Sequence, residues 1–167
     1  GHATRAARGG PVSSAESASD AVARRALAHN LESKANGALM RASALGIWST
    51  RLSVDEAIRA ALDDARLTHP NPSCQWANAA YVVAIRHMLC HPGDAAGAFA
   101  QGREALDSAT GDEAAEVNSW LEDAANGHLP AGHPMAGFVR IAFTHAFSHL
   151  VRGTTFEHAL HDVLSCG

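Results

Sequence analysis

The feature that most constrains the fold is a series of apolar stripes with helical spacing, separated by capping residues, prolines and glycines. The clearest start signal is Ser53-Val54-Asp55-Glu56. In such a capping box the serine accepts a hydrogen bond from the third helical N–H and the glutamate reaches back to the serine N–H. The apolar residues after it share one face: Val54, Ala57, Ile58, Ala61, Leu62 and Ala65. This pattern predicts an amphipathic helix that ends at 68–70.

A second, longer helix is predicted after Pro70 and Pro72. Each proline disfavours helix at the residue before it, so an extended link is expected there, with Ser73 as the cap of the next helix. Residues 74–89 are apolar around most of the circumference. A helix without a polar face is typical of the centre of a bundle. We therefore expect this helix to be the core.

Similar signals divide the rest of the chain. Helical patterns run from Ser14 to a break at Asn36-Gly37, over 94–106, 112–125 and 137–151, and from a second expected capping box at Thr154–Glu157 to 164. Residues 1–12 are expected to form an irregular lead-in and 13–167 a single helical domain. About seven helices, no strand and no repeat period indicate an irregular all-α globule.

Composition limits the partners and the compartment. The 167 residues suit one domain, and 47% hydrophobic with 5% aromatic residues indicates packing by Ala and Leu. A net charge of -4 without a basic block disfavours nucleic-acid binding, and no apolar run is long enough to span a membrane. Three cysteines without a C-x-x-C pair favour a reducing compartment, so a cytoplasmic protein is expected.

Two segments are candidates for ligand binding: 33–41 (SKANGALMR) and 67–72 (LTHPNP). Each places small or polar residues where a helical pattern breaks, so backbone N–H groups and the imidazole of His69 could face a polar ligand. Both have plainer interpretations. Asn36-Gly37 is also typical of a helix-ending turn, and a histidine at a helix C-terminus is also typical of a favourable interaction with the helix dipole.

Other polar residues give weaker signals. His145 and His149 share one helical face, but no glutamate follows His145 and no third ligand is indicated, so a metal site is not favoured. Asp63 and Asp64 point about 100° apart on a helix, which favours a solvated face over a shared site. Cys74 is interpreted as a small buried apolar residue.

The two candidate segments also carry a family resemblance. Residues 36–41 resemble the N-G-x-x-M-R element of the ADP-ribosylglycohydrolase family, and 67–70 resemble its T-H element. Residues 138–150 and 154–164 resemble the two helices that lead into the family's G-G-D-[TS]-D motif. The resemblance extends from about Ala26 to Gly167.

This resemblance implies an all-α fold and a hydrolase. Members of the family use two magnesium ions, held by acidic residues, to position ADP-ribose. The glycosidic bond between ADP-ribose and a modified protein or a small acceptor is then hydrolysed. It implies that Ser33, Asn36, Gly37 and Met40 line the ADP-ribose site and that His69 lies beside it. The implied partner is ADP-ribose or an ADP-ribosylated protein.

The chain departs from the family at its magnesium ligands. The family's T-D-D motif would lie before Gly1, and Gly167 matches only the first glycine of G-G-D-[TS]-D. We therefore expect no metal ligands in this chain and no activity from it alone, together with exposed apolar surface and self-association. The alternatives are a non-catalytic helical module that binds ADP-ribose, a nucleotide or a protein partner, and a plain helical scaffold.

Overall fold

The computed structural model describes residues 17–109 and 111–165, and in this part of the chain the protein is all-helical without strands. The helices are α1 (Ala18–Asn30), α2 (Ala42–Trp48), α3 (Val54–Arg66), α4 (Pro72–Cys90), α5 (Ala95–Asp107), α6 (Asp112–Asn126), α7 (Val139–Arg152) and α8 (Phe156–Ser165), with 3-10 turns at Leu39–Arg41 and Ser49–Arg51. The irregular lead-in expected at 1–12 lies outside the described residues.

The described residues form eight α-helices, one more than the sequence predicts. The additional helix is α2, which is short and contains glycine, so it lacks an amphipathic signal. It forms because it packs tightly on α4: a Cβ at Gly46 would lie 2.7 Å from Ile85 Cγ2. This contact is a tertiary one, which a local sequence pattern does not show.

Helix α1 is shorter than predicted. Its described start is capped by Ser17, whose hydroxyl accepts from Asp20 N at 3.2 Å, and the predicted start at Ser14 lies outside the described residues. The helix ends at Asn30, well before the expected break at Asn36-Gly37. The intervening residues form the loop that carries the candidate site.

The capping box that begins α3 is confirmed. Ser53 Oγ accepts from Glu56 N at 3.3 Å, and Ser53 N donates to Glu56 Oε2 at 2.8 Å. The buried side chains of the helix fall on one stripe, as predicted: Ala57, Ile58, Ala61 and Ala65. The capping box and the buried apolar stripe therefore both favour a helix at this place in the chain.

Two other predicted caps are wrong. The cap of α4 is Asn71, which accepts from Ser73 N at 3.1 Å, because Pro72 fits the first helical position and moves the start upstream of Ser73. At α8, Thr155 accepts from His158 N at 3.3 Å, whereas Thr154 donates to the carbonyl of the preceding helix. The predicted box from Thr154 to Glu157 does not form.

Helix α4 is the centre of the structure, as its apolar circumference predicts. One side packs with α5, α6 and α7 around Trp120, Phe143 and Phe147. Its other side packs with α2 and α3 through small residues that include Ala79, Val82 and Val83 of α4. Burial on two sides explains why the helix has no polar face.

Helix α8 is the least embedded element. None of its described residues is buried, and Phe156 and Leu164 are 80% and 74% exposed. Between residues 17 and 165, apart from residue 110, no helix has the length and apolar character needed to cross a bilayer.

Candidate functional site

The loop between α1 and the first 3-10 turn is fixed by backbone hydrogen bonds to the segment before α7. Asn36 N donates to Gly137 O at 2.8 Å, and Val139 N donates to Lys34 O at 2.8 Å. These bonds form an isolated antiparallel bridge between Ala35 and Phe138. The loop is therefore held in one register against α7.

Two side chains at the start of α4, those of Asn71 and Cys74, contact the same loop. Asn71 Nδ2 donates to Leu31 O at 2.9 Å, and Cys74 Sγ lies 3.5 Å from Ser33 O and 3.7 Å from Ala35 O. Burial raises the pKa of the Cys74 thiol to about 12. The thiol is thus a neutral, buried part of the packing, as the sequence predicts, and is not a nucleophile.

An ion pair ties the loop to α6. Lys34 Nζ lies 2.6 and 2.7 Å from the two carboxylate oxygens of Glu116, and Ser73 Oγ donates a short hydrogen bond to the same carboxylate. Burial raises the pKa of Glu116, but the bonds from Lys34 and Ser73 outweigh it and hold the pKa below its ordinary value. The carboxylate is therefore charged at neutral pH and keeps its partners.

The two candidate sequence segments meet at Gly37 and His69. The imidazole of His69, 1% exposed, lies so close to Gly37 that a Cβ there would be 2.9 Å from Cε1 and 3.1 Å from Nε2. A side chain at position 37 would therefore displace the ring or the loop. The contact explains why glycine stands at this position.

Three residues support His69 from the other side. Thr68 Oγ1 lies 2.9 Å from His69 Nδ1 and accepts a hydrogen bond from Arg41 Nη1 at 2.8 Å. Arg41 in turn donates through Nε to Asp64 Oδ2 at 3.0 Å and through Nη2 to Asp64 O at 2.7 Å. The ends of the two candidate segments are therefore joined by one hydrogen-bonded chain.

His69 is neutral at physiological pH. Burial, followed by the positive charge of Arg41, lowers its pKa to about 4. A neutral ring does not gain the charge–dipole stabilisation that a protonated histidine has at a helix C-terminus. The ring instead fills the space between α3 and the Asn36-Gly37 turn.

The remaining predicted site residues lie near this contact but are not all brought together. Ser33 and Asn36 are half-buried in the loop, while Met40 is 75% exposed on the 3-10 turn. Asn36 borders a cavity of about 510 Å³ between α7 and α8. The walls of this cavity are mainly apolar, including Ile141 and Leu160, which does not suit a diphosphate.

His145 and His149 also border that cavity, and each is engaged in the fold. His145 Nε2 lies 3.0 Å from Pro130 O, and His149 Nδ1 lies 2.9 Å from Thr154 Oγ1 and 3.0 Å from Arg152 Nη2. His149 Nε2 is buried without a partner. The contact of His145 is with the loop before α7, and the contacts of His149 are at the C-terminal end of α7.

Residues that could hold a metal do not cluster in the described part of the chain. Neither 17–109 nor 111–165 contains a group of three or more His, Cys, Asp or Glu side chains placed to bind an ion. Magnesium prefers several oxygen ligands in near-octahedral geometry. The described residues therefore do not fit a magnesium centre.

The support of His69 by Arg41 and Asp64 is not among the sequence predictions. Asp64 was expected on a solvated face with Asp63, but it pairs with Arg41, and Asp63 pairs with Arg66 at 3.4 Å. The four-residue spacing of Asp64 and Thr68 would place both side chains on one face if the helix continued to Thr68, but α3 ends at Arg66. Lys34 and Glu116 are 82 residues apart in the sequence, so their ion pair has no local sequence signal.

Comparison with known proteins places this arrangement in a family. A family model described as ADP-ribosylglycohydrolase matches residues 1–167, the whole chain. No curated protein and no solved structure gives a significant match. The all-helical fold agrees with that family. The chain belongs to the ADP-ribosylglycohydrolase family.

Proposed function

We propose that the Asn36-Gly37 turn and His69 form part of an ADP-ribose site, and that the complete enzyme hydrolyses the glycosidic bond between ADP-ribose and a modified protein or small acceptor. The observation that carries the proposal is the contact of Gly37 with the His69 ring. It joins the two elements of the chain that resemble the family. Ser33, Asn36, Gly37 and Met40 would line the ligand, with His69 beside it.

The construction of the loop supports ligand binding. Backbone bonds, two side chains of α4 and the Lys34–Glu116 pair hold the loop before any ligand arrives. A loop that is already ordered loses little conformational entropy on binding. Ala35 and Gly37 are partly exposed and have small side chains or none, so a phosphate group could approach the backbone there closely.

Hydrolysis needs more than these residues provide. The family resemblance implies Mg²⁺, and the described residues do not fit a magnesium centre. We therefore propose that this chain alone binds ADP-ribose without hydrolysing its conjugates. The alternative is a binding-only module for ADP-ribose, a nucleotide or a protein partner. Where its ligand is ADP-ribose, it differs from the first proposal in the activity of the complete protein and not in this site.

A calorimetric titration tests the site. ADP-ribose should bind the chain, Asn36→Ala should weaken that binding, and Asn126→Ala, an exposed residue at the end of α6, should leave it unchanged. An ADP-ribosylated protein incubated with the chain and magnesium should release no ADP-ribose. Equal affinities for the two variants would contradict the site, and catalytic release would contradict the proposed inactivity.

Two further parts of the proposal concern the protein as a whole. We propose a cytoplasmic location, supported by the free thiols of Cys74 and Cys90 and by the odd number of cysteines. We also propose self-association, supported by the exposed apolar residues of α8. Neither concerns the ligand site, so each is tested separately.

A further inference from the structure

Thr68 lies between a guanidinium and an imidazole. Its Oγ1 accepts from Arg41 Nη1 at 2.8 Å and lies 2.9 Å from His69 Nδ1. Thr68 is 6% exposed and His69 1% exposed, so water is largely excluded from both. The positions of the hydrogen-bonding protons therefore depend on the side chains of Arg41, Thr68 and His69 themselves.

The contacts at Thr68 Oγ1 favour one of the two neutral tautomers of His69. A guanidinium only donates, so Thr68 Oγ1 accepts from Arg41 and keeps its own proton for another acceptor. That acceptor is His69 Nδ1, which must then carry a lone pair. If Nδ1 carried the proton instead, the buried Thr68 hydroxyl proton would lose this acceptor, which costs free energy.

We infer that Arg41 and Thr68 are positioning residues that hold His69 as the neutral tautomer with its proton on Nε2, the nitrogen that faces Gly37. Asp64 completes the chain, because its carboxylate and carbonyl oxygens fix the Arg41 guanidinium through Nε and Nη2. Burial and the charge of Arg41 also lower the pKa of His69 to about 4, which agrees with a neutral ring.

The tautomer decides what the ring offers to a ligand. A proton on Nε2 directs a hydrogen-bond donor toward the Asn36-Gly37 turn, and an anionic ligand oxygen can accept it only if the turn or the ring shifts, because no methyl group fits between them. The other tautomer would present a lone pair there and would repel such an oxygen. This use of the proton rests on the proposed function, whereas the tautomer itself does not.

Nitrogen-15 NMR of the imidazole rings in the ligand-free chain at pH 7 tests the inference. The resonances of His69 are identified among the eleven histidines by their loss in His69→Gln. We expect Nδ1 in the range of an unprotonated ring nitrogen and Nε2 in the range of a protonated one. A protonated Nδ1 with an unprotonated Nε2 would overturn the inference.

Substitutions test the role of Thr68. Thr68→Val removes the donor and should give a mixture of tautomers, Thr68→Ser should restore the single one, and the exposed Thr50→Val should change nothing. An unchanged single tautomer in Thr68→Val would overturn the assigned role. The wild-type spectrum decides the tautomer even where Thr68→Val does not fold. Failure to bind ADP-ribose with the expected tautomer present would contradict the proposed function and leave this inference standing.

Discussion

The Gly37 backbone and the His69 imidazole are in direct contact, with room for a hydrogen but not for a methyl group between them. The contact joins the loop after α1 to the end of α3, two regions that are more than thirty residues apart in the sequence. The conformation of the loop and the position of the His69 ring, both parts of the proposed ligand site, therefore depend on each other.

Gly37→Ala should therefore destabilise the protein. The added Cβ would meet a ring that is packed on its other side by Thr68, so the loop or the ring must move, at a cost of about 1–3 kcal/mol. Thermal or urea unfolding measures this loss. Gly137→Ala is the matched control, because among the described residues nothing lies within 4 Å of the Cβ it would add. Equal losses in the two variants would contradict the close packing of Gly37.

The free energy of unfolding should decrease as the pH is lowered, because of His69. Its pKa is about 4 in the folded protein and about 6.5 in the unfolded chain, so below pH 6.5 the unfolded state binds a proton that the folded state does not. The stabilisation is complete above pH 6.5 and is lost as the pH falls toward 4. At pH 5 the loss should be about 2 kcal/mol.

Urea unfolding at pH 7 and pH 5 measures this dependence. The lowered pKa values of Glu56, Asp94 and Glu116 lie below this range, so their titration contributes little. Burial also lowers the pKa of His149, which contributes equally in wild type and His69→Gln. His69→Gln should make the dependence weaker by the amount that His69 supplies. The same pH dependence in wild type and His69→Gln would show that the buried ring is not its source.

The Lys34–Glu116 pair should matter for both stability and ligand binding. Glu116→Ala removes the acceptor of Lys34 and Ser73 and should cost about 1–2 kcal/mol. Because the loop loses its tie to α6, ADP-ribose should also bind more weakly. Glu122→Ala is the control, an exposed glutamate on the same helix. An effect of Glu122→Ala as large as that of Glu116→Ala would contradict a specific role of the ion pair.

Helix α8 should promote self-association. Sedimentation velocity over a range of concentrations should show association of the wild type, and Phe156→Ser with Leu164→Ser should reduce it, because these residues expose large apolar side chains. Leu27→Ser removes a 55% exposed leucine from α1 and should have little effect. A wild type that is monomeric at all concentrations would contradict this prediction.

Much of the fold follows from local sequence signals. The capping box at Ser53 and the apolar circumference of α4 both appear in the structure, because local propensity and burial favour the same conformation there. The cap at Asn71 differs from the predicted Ser73 by two residues, since Pro72 fits a first helical position. Helix α2 was missed because its formation depends on close packing of Gly46 against Ile85.

The candidate site was predicted only in part. Asn36-Gly37 and His69 stand out as breaks in helical patterns, and their contact is a tertiary fact that no spacing shows. The support of His69 depends on Asp64 and Arg41, which are 23 residues apart. Such polar networks depend on how helices pack. The sequence therefore predicts His69 as a site residue but not the residues that orient its ring.

A titration of the isotope-labelled chain with ADP-ribose, followed by NMR, tests directly whether the Asn36-Gly37 turn and His69 bind this ligand. We expect the amide signal of Gly37 and the ring signals of His69 to shift and saturate together, while the amide of Gly127, at the far end of α6, stays unchanged. Absence of any shift at Gly37 and His69, or saturable shifts confined to other parts of the chain, would contradict the assignment of this turn as the ADP-ribose site.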